Sequence, residues 1–85
     1  MGIASLLVYP NPSSNALNIL FEEDNSRGDY TFQVYDVGGR LLQMRDDIIP
    51  NQPYSINVNG FANGMYFVDV LSGNNVVGRG RFVKE

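Results

Sequence analysis

Apolar residues recur at every second position through four stretches of this chain. Leu17, Ile19 and Phe21 form one such set, Tyr30, Phe32 and Val34 a second, Tyr54, Ile56 and Val58 a third, and Tyr66, Val68 and Val70 a fourth. Successive side chains of a strand leave opposite faces of a sheet, so each set predicts a strand with one face turned to a core. Shorter apolar runs add three more strands, and no stretch keeps a helical repeat beyond two turns. The expected strands run from about Leu6 to Tyr9, Ala16 to Phe21, Tyr30 to Tyr35, Arg40 to Arg45, Tyr54 to Val58, Met65 to Leu71 and Val76 to Val83.

The connections carry the residues that stop strands. Pro10-Asn11-Pro12 removes backbone donors and bends the chain, and Ser13, Ser14 and Asn15 prolong the turn. Glu22 to Asp29 reads as a charged loop, and Asp46 to Pro53 as a polar loop with Ile48-Ile49 inside it. Asp36-Val37-Gly38-Gly39 reads as a tight hairpin in which the paired glycines supply positive φ. Asn59-Gly60 and Asn63-Gly64 bracket Phe61, which is expected to plug one end of the core, and Ser72-Gly73-Asn74-Asn75 turns the sixth strand into the seventh. Seven strands at spacings of about ten residues, with no helical crossover, point to an all-β, seven-stranded antiparallel immunoglobulin-like β-sandwich. The Cys and Trp of antibody domains are missing, so the likeness is one of architecture. An eight-stranded closed barrel suits this length less well.

Composition narrows the function more than the fold. A chain of 85 residues has room for one domain, here taken as 1–85, and its apolar fraction of 44% is a globular value. The net charge of -3, with six basic residues spread along the chain, argues against nucleic acid and against insertion into a membrane. There is no Cys and no His, which removes disulfides, thiolate metal sites, hydrolytic triads and the commonest general base. The carboxylates Glu22, Glu23, Asp24, Asp29, Asp46 and Asp47 fall in expected loops, where solvated charge is the plainer reading than a catalytic pair. Their spacing lacks the alternation of a calcium loop, so no metal, no cofactor and no catalytic residue is assigned. Gly38-Gly39-Arg40 falls far short of a phosphate-binding fingerprint. The start Met1-Gly2-Ile3 lacks an export signal, and a larger secreted parent is expected upstream.

Two features go beyond a filler domain. Five tyrosines, Tyr9, Tyr30, Tyr35, Tyr54 and Tyr66, offer material for a sugar-binding platform, although core packing is the default on alternating strand positions. The last strand places Arg79 and Arg81 on one face and Gly78, Gly80 and Phe82 on the other. That pattern fits an edge strand guarded against aggregation, or a basic terminal recognition strip.

Tyr9-Pro10-Asn11-Pro12, Tyr35-Asp36-Val37-Gly38-Gly39-Arg40, Asn63-Gly64-Met65-Tyr66-Phe67-Val68 and Arg81-Phe82-Val83-Lys84 together resemble one family, in order and over nearly the whole chain. It is the type A C-terminal sorting domain of type IX secretion, the Por secretion system family of Bacteroidetes. The motif positions carry over as Pro10, Asn11 and Pro12, Gly39 and Arg40, Gly64 and Tyr66, and Lys84. The family favours lysines in the final strand, where this chain has Arg79 and Arg81, so charge is kept and donor geometry differs. The resemblance implies a non-catalytic cargo tag, recognised in the periplasm by the outer-membrane secretion translocon and bound for the cell surface or the exterior. It also implies removal by a sortase-like protease that cuts near or before Ile3 to Ser5. An exposed terminal strand is then expected to pair with a receptor sheet, and the same edge would allow a homodimer. The competing reading is an accessory carbohydrate-binding or adhesion module of a secreted enzyme.

Overall fold

The alternation in the sequence becomes burial. In the computed structural model, which describes residues 4–23 and 29–85, β2 (Ala16–Glu23) buries Leu17, Ile19 and Phe21, and β3 (Tyr30–Asp36) buries Tyr30, Phe32 and Val34. β6 (Gly64–Ser72) buries Tyr66, Val68 and Val70 on the same principle. The remaining strands are β1 (Ala4–Tyr9), β4 (Leu41–Ile48), β5 (Pro53–Asn57) and β7 (Asn75–Lys84). The described part of the molecule is therefore all-β, as expected, with seven antiparallel strands. Of the expected charged loop, residues 24–28 lie outside the described residues, as do Met1, Gly2 and Ile3.

Two sheets form, ordered β1-β2-β5 and β4-β3-β6-β7. This is the immunoglobulin constant-type arrangement with one change: the fourth strand has left the first sheet and pairs with the third strand in the second. The inner faces meet in one core, whose fully enclosed side chains include Leu17, Phe32, Val58, Val68 and Phe82. Phe61 packs against this cluster at its end, in ring contact with Tyr66 at 5.0 Å, as its position between two turns predicts.

Three expectations need correction. Glu22 and Glu23, read as the start of the charged loop, are the last residues of β2, paired with β1. Asp46 and Asp47 belong to β4 and not to a loop, and Ile48 closes that strand as a core residue. β4 is an edge strand, so its charged residues can face water while β3 pairs its other side, and Asp47 is accommodated at a φ of 58° beside an irregularity in the ladder. At the β3–β4 hairpin only Gly39 has positive φ, at 87°. The second device is the Asp36 carboxylate, whose Oδ1 accepts the N–H of Gly38 at 3.0 Å and of Arg40 at 2.9 Å. Gly38 thus needs no positive φ, because the turn is also held by an aspartate at its opening.

Candidate recognition surface

From Gly78 onward β7 alternates strictly between its two faces. Gly78, Gly80, Phe82 and Lys84 turn inward, while Arg79, Arg81 and Val83 turn outward. The glycines are there for closeness: a Cβ on Gly80 would stand 3.0 Å from Val8 Cγ2, and one on Gly78 would stand 3.1 Å from the Phe21 ring. β1 therefore packs its Leu6 and Val8 onto the bare backbone of β7, which no larger residue would permit. Further along, Phe82 is fully enclosed, with Tyr66 at 5.3 Å and Phe61 at 6.5 Å between ring centres. The final strand is thus anchored in the core by its own side chain, and Lys84 beyond it is also buried. The Lys84 Nζ reaches the carbonyl of Glu85 at 3.4 Å.

The first motif is tied to the last. Asn11 Oδ1 accepts the Val83 N–H at 2.9 Å, the Ser13 N–H donates to the Val83 carbonyl at 2.8 Å, and the Glu85 N–H donates to the Ser13 carbonyl at 2.9 Å. Ser13 and Lys84 thereby form a parallel bridge, with Ser13 itself buried and its hydroxyl donating to the Pro10 carbonyl. Proline fits on both sides of Asn11 because neither position needs to donate a hydrogen bond to this ladder. The register extends the grouping: Gly64 lies opposite Lys84, and Tyr66 lies between Asp36 and Phe82. Pro10, Asn11, Pro12, Gly39, Arg40, Gly64, Tyr66, Phe82, Val83 and Lys84 consequently share one end of the sandwich. Gly64 opens β6 there at a φ of 148°. Arg40 is largely exposed, and its pair with Asp36 at 3.3 Å is a surface contact of little energetic weight. Arg79 and Arg81 lie further back along β7, on its outer face.

Sequence reasoning missed one charged residue. Asp69 sits on the outer face of β6 and is nonetheless buried, because Arg79 and Tyr35 cover it. Arg79 grips it from Nε at 2.8 Å and from Nη2 at 3.3 Å, and the Tyr35 hydroxyl donates to it at 2.5 Å. Burial alone would raise the Asp69 carboxyl, but the hydrogen bonds from Arg79 and Tyr35 and the charge of Arg79 outweigh it, so the group lies below its ordinary value. Burial and the hydrogen bond to Asp69 push the Tyr35 phenol up to about 12. The available signal was a lone acid among the inward valines of β6, one hairpin away from a matching arginine.

The chain matches the family profile described as secretion system C-terminal sorting domain over residues 7–85. It belongs to that family. The sorting domain of type IX secretion is a Bacteroidetes export signal, and membership carries with it delivery to the cell surface or the extracellular space. The fold has a counterpart among solved structures, the dimeric latent PorU from Porphyromonas gingivalis, with a TM-score of 0.69 at 16% identity. That likeness covers 99% of this chain and 9% of the PorU chain, so it concerns the sandwich alone. No curated protein matches the sorting domain.

Among the described residues, no three of His, Cys, Asp or Glu stand together as a metal site would require. The tyrosines share no platform: Tyr30 and Tyr66 are core residues, Tyr35 is engaged with Asp69, and Tyr54 lies under the Arg45 guanidinium at 4.8 Å. Tyr9 alone is well exposed.

Proposed function

We propose that this domain is a non-catalytic address for a cargo protein joined upstream of β1, read by the outer-membrane translocon of type IX secretion and afterwards removed by a sortase-like protease. Family membership over residues 7–85 carries this reading. The geometry supports its finer part, because motifs far apart in sequence converge on one end of the sandwich, where Asn11 and Ser13 hold Val83 and Glu85. That end is the surface presented to the translocon. The protease acts before the paired part of β1, since Ser5 is already opposite Glu22 and a strand held in a sheet is a poor substrate. Ile3, within the expected cleavage zone, lies outside the described residues.

The final strand acts as part of this folded surface and not as a detachable handle. Deleting Gly80 to Glu85 takes Phe82 out of the core and unfolds the domain, so lost export of that truncation would say nothing about recognition. The informative experiment attaches the intact domain to a periplasmic reporter in a Bacteroidetes host, with and without a working translocon. Surface display that needs both the domain and the translocon is expected. A reporter that stays in the periplasm with the folded domain attached would overturn the proposal, and saturable glycan binding by the isolated domain would favour an accessory module instead.

A further inference from the structure

β7 is the outermost strand of its sheet, and its free side is divided into three parts. Near its start the register shift opposite Leu71 leaves Val77 as an extra residue that interrupts the ladder. At its end Asn11 and Ser13 occupy Val83 and Glu85. Arg79 and Arg81 lie between. Val83 directs its N–H and its carbonyl away from β6, and strand backbone groups alternate with period two, so Arg79 and Arg81 direct theirs the same way. Both residues therefore offer a donor and an acceptor on an edge whose capacity for pairing is already shown by Ser13.

The side chains define what would fit beside them. Arg79 is committed to Asp69, whereas Arg81 has no ion pair among the described residues. Next to them a shallow depression of about 290 Å³ is lined by Phe67, Arg79, Gly80 and Arg81. On the inner face Leu6 and Val8, which pack against the backbone at Gly80, are only partly buried. A strand laid along this edge meets cations on its outer face and aliphatic carbon on its inner one.

We propose that Arg79 to Arg81 is a docking edge for an extended segment of a partner protein, in which two acidic residues flank one apolar residue. The segment adds as a further strand to β4-β3-β6-β7, its acids beside the arginines and its apolar residue over Leu6 and Val8. β7 of a second copy is a poor occupant, because a symmetric pairing sets arginine against arginine. The proposal deepens the export reading and rests on it for where such a partner is met, but the binding is tested apart from export.

The probe is an acetylated, amidated heptapeptide, Thr-Ser-Glu-Val-Glu-Ser-Thr, titrated into the isotopically labelled domain and followed by amide chemical shifts. Saturating shifts centred on Arg79 and Arg81 are expected. Binding should be about tenfold weaker for the peptide with lysine in place of both glutamates, and the exposed Arg81→Glu variant should reverse that preference. Backbone methylation at alternate peptide residues should abolish binding, because the hydrogen bonds are to the main chain. Shifts placed elsewhere, no saturation, or equal affinity for the glutamate and lysine peptides would overturn the docking edge. A reporter exported normally beside a peptide that fails to bind would defeat this inference and leave the address intact; a bound peptide beside an unexported reporter would do the reverse.

Discussion

At one end of the sandwich Asn11 accepts the Val83 N–H, and at the other Asn51 accepts the Glu23 N–H at 3.0 Å and returns a bond to the Glu23 carbonyl at 3.0 Å. Both asparagines stand beside or near prolines and close a strand edge from a neighbouring turn. Their surroundings differ. The Asn51 N–H also donates to the Phe21 carbonyl at 2.7 Å, which continues the β2–β5 ladder past Pro53, a residue with no donor to offer. Asn51 therefore completes the inside of a sheet. Asn11 instead covers the outer side of a terminal strand, at the end where the expected recognition residues gather. The same side chain serves stability at one end and shapes an exposed edge at the other.

This contrast can be broken in order of expected effect. Phe82→Ala removes the anchor of the motif end and should cost about 3–5 kcal/mol, read by urea denaturation, enough to unfold much of so small a domain. Asn51→Ala comes next, at about 2–3 kcal/mol: it loses two side-chain hydrogen bonds and forces alanine into a left-handed φ of 69°. Asn11→Ala should cost about 1 kcal/mol, and hydrogen exchange at the Val83 amide should quicken while the β3–β6 amides stay protected. Equal cost for the two asparagines would remove the distinction between the ends.

Titration sharpens the same picture with smaller effects. Tyr35, raised from 10.0 to about 12, favours the fold fully below pH 10, and this contribution fades as pH rises from there through 12. Asp69 works in the opposite sense. Its lowered value adds stability above the ordinary carboxylate range near pH 4, and that stability is lost as pH falls below it. Tyr35→Phe should flatten much of the alkaline decline, as measured by thermal melts across pH. Tyr30, also raised to about 12, chiefly through its bond to Glu23 at the opposite end, adds a decline of the same sign.

Periodicity made the sandwich readable, because Leu17, Ile19 and Phe21 or Tyr66, Val68 and Val70 declare their faces within one strand. Strand ends were harder. Asp46 and Asp47 look like loop because charge is the usual mark of a loop, yet an edge strand tolerates it. The link from Asn11 to Val83 spans 72 residues and leaves no local signature, so the first and last motifs could be named but not joined. Burial of Asp69 was equally hidden, since it depends on a guanidinium supplied by the next strand. Phe82 changes the meaning of the terminal strip: its position on the inner face was legible, but its place among Tyr66 and Phe61 emerges only from the fold.

The most direct test compares surface display of one reporter carrying Asn11→Ala or Asn51→Ala, each corrected for the folded fraction measured on the isolated domain. Asn11→Ala, the more stable of the two, should lose surface display, while Asn51→Ala should be displayed in proportion to how much of it is folded. If Asn11→Ala were also displayed in proportion to its folded fraction, the motif end would not be what the translocon reads.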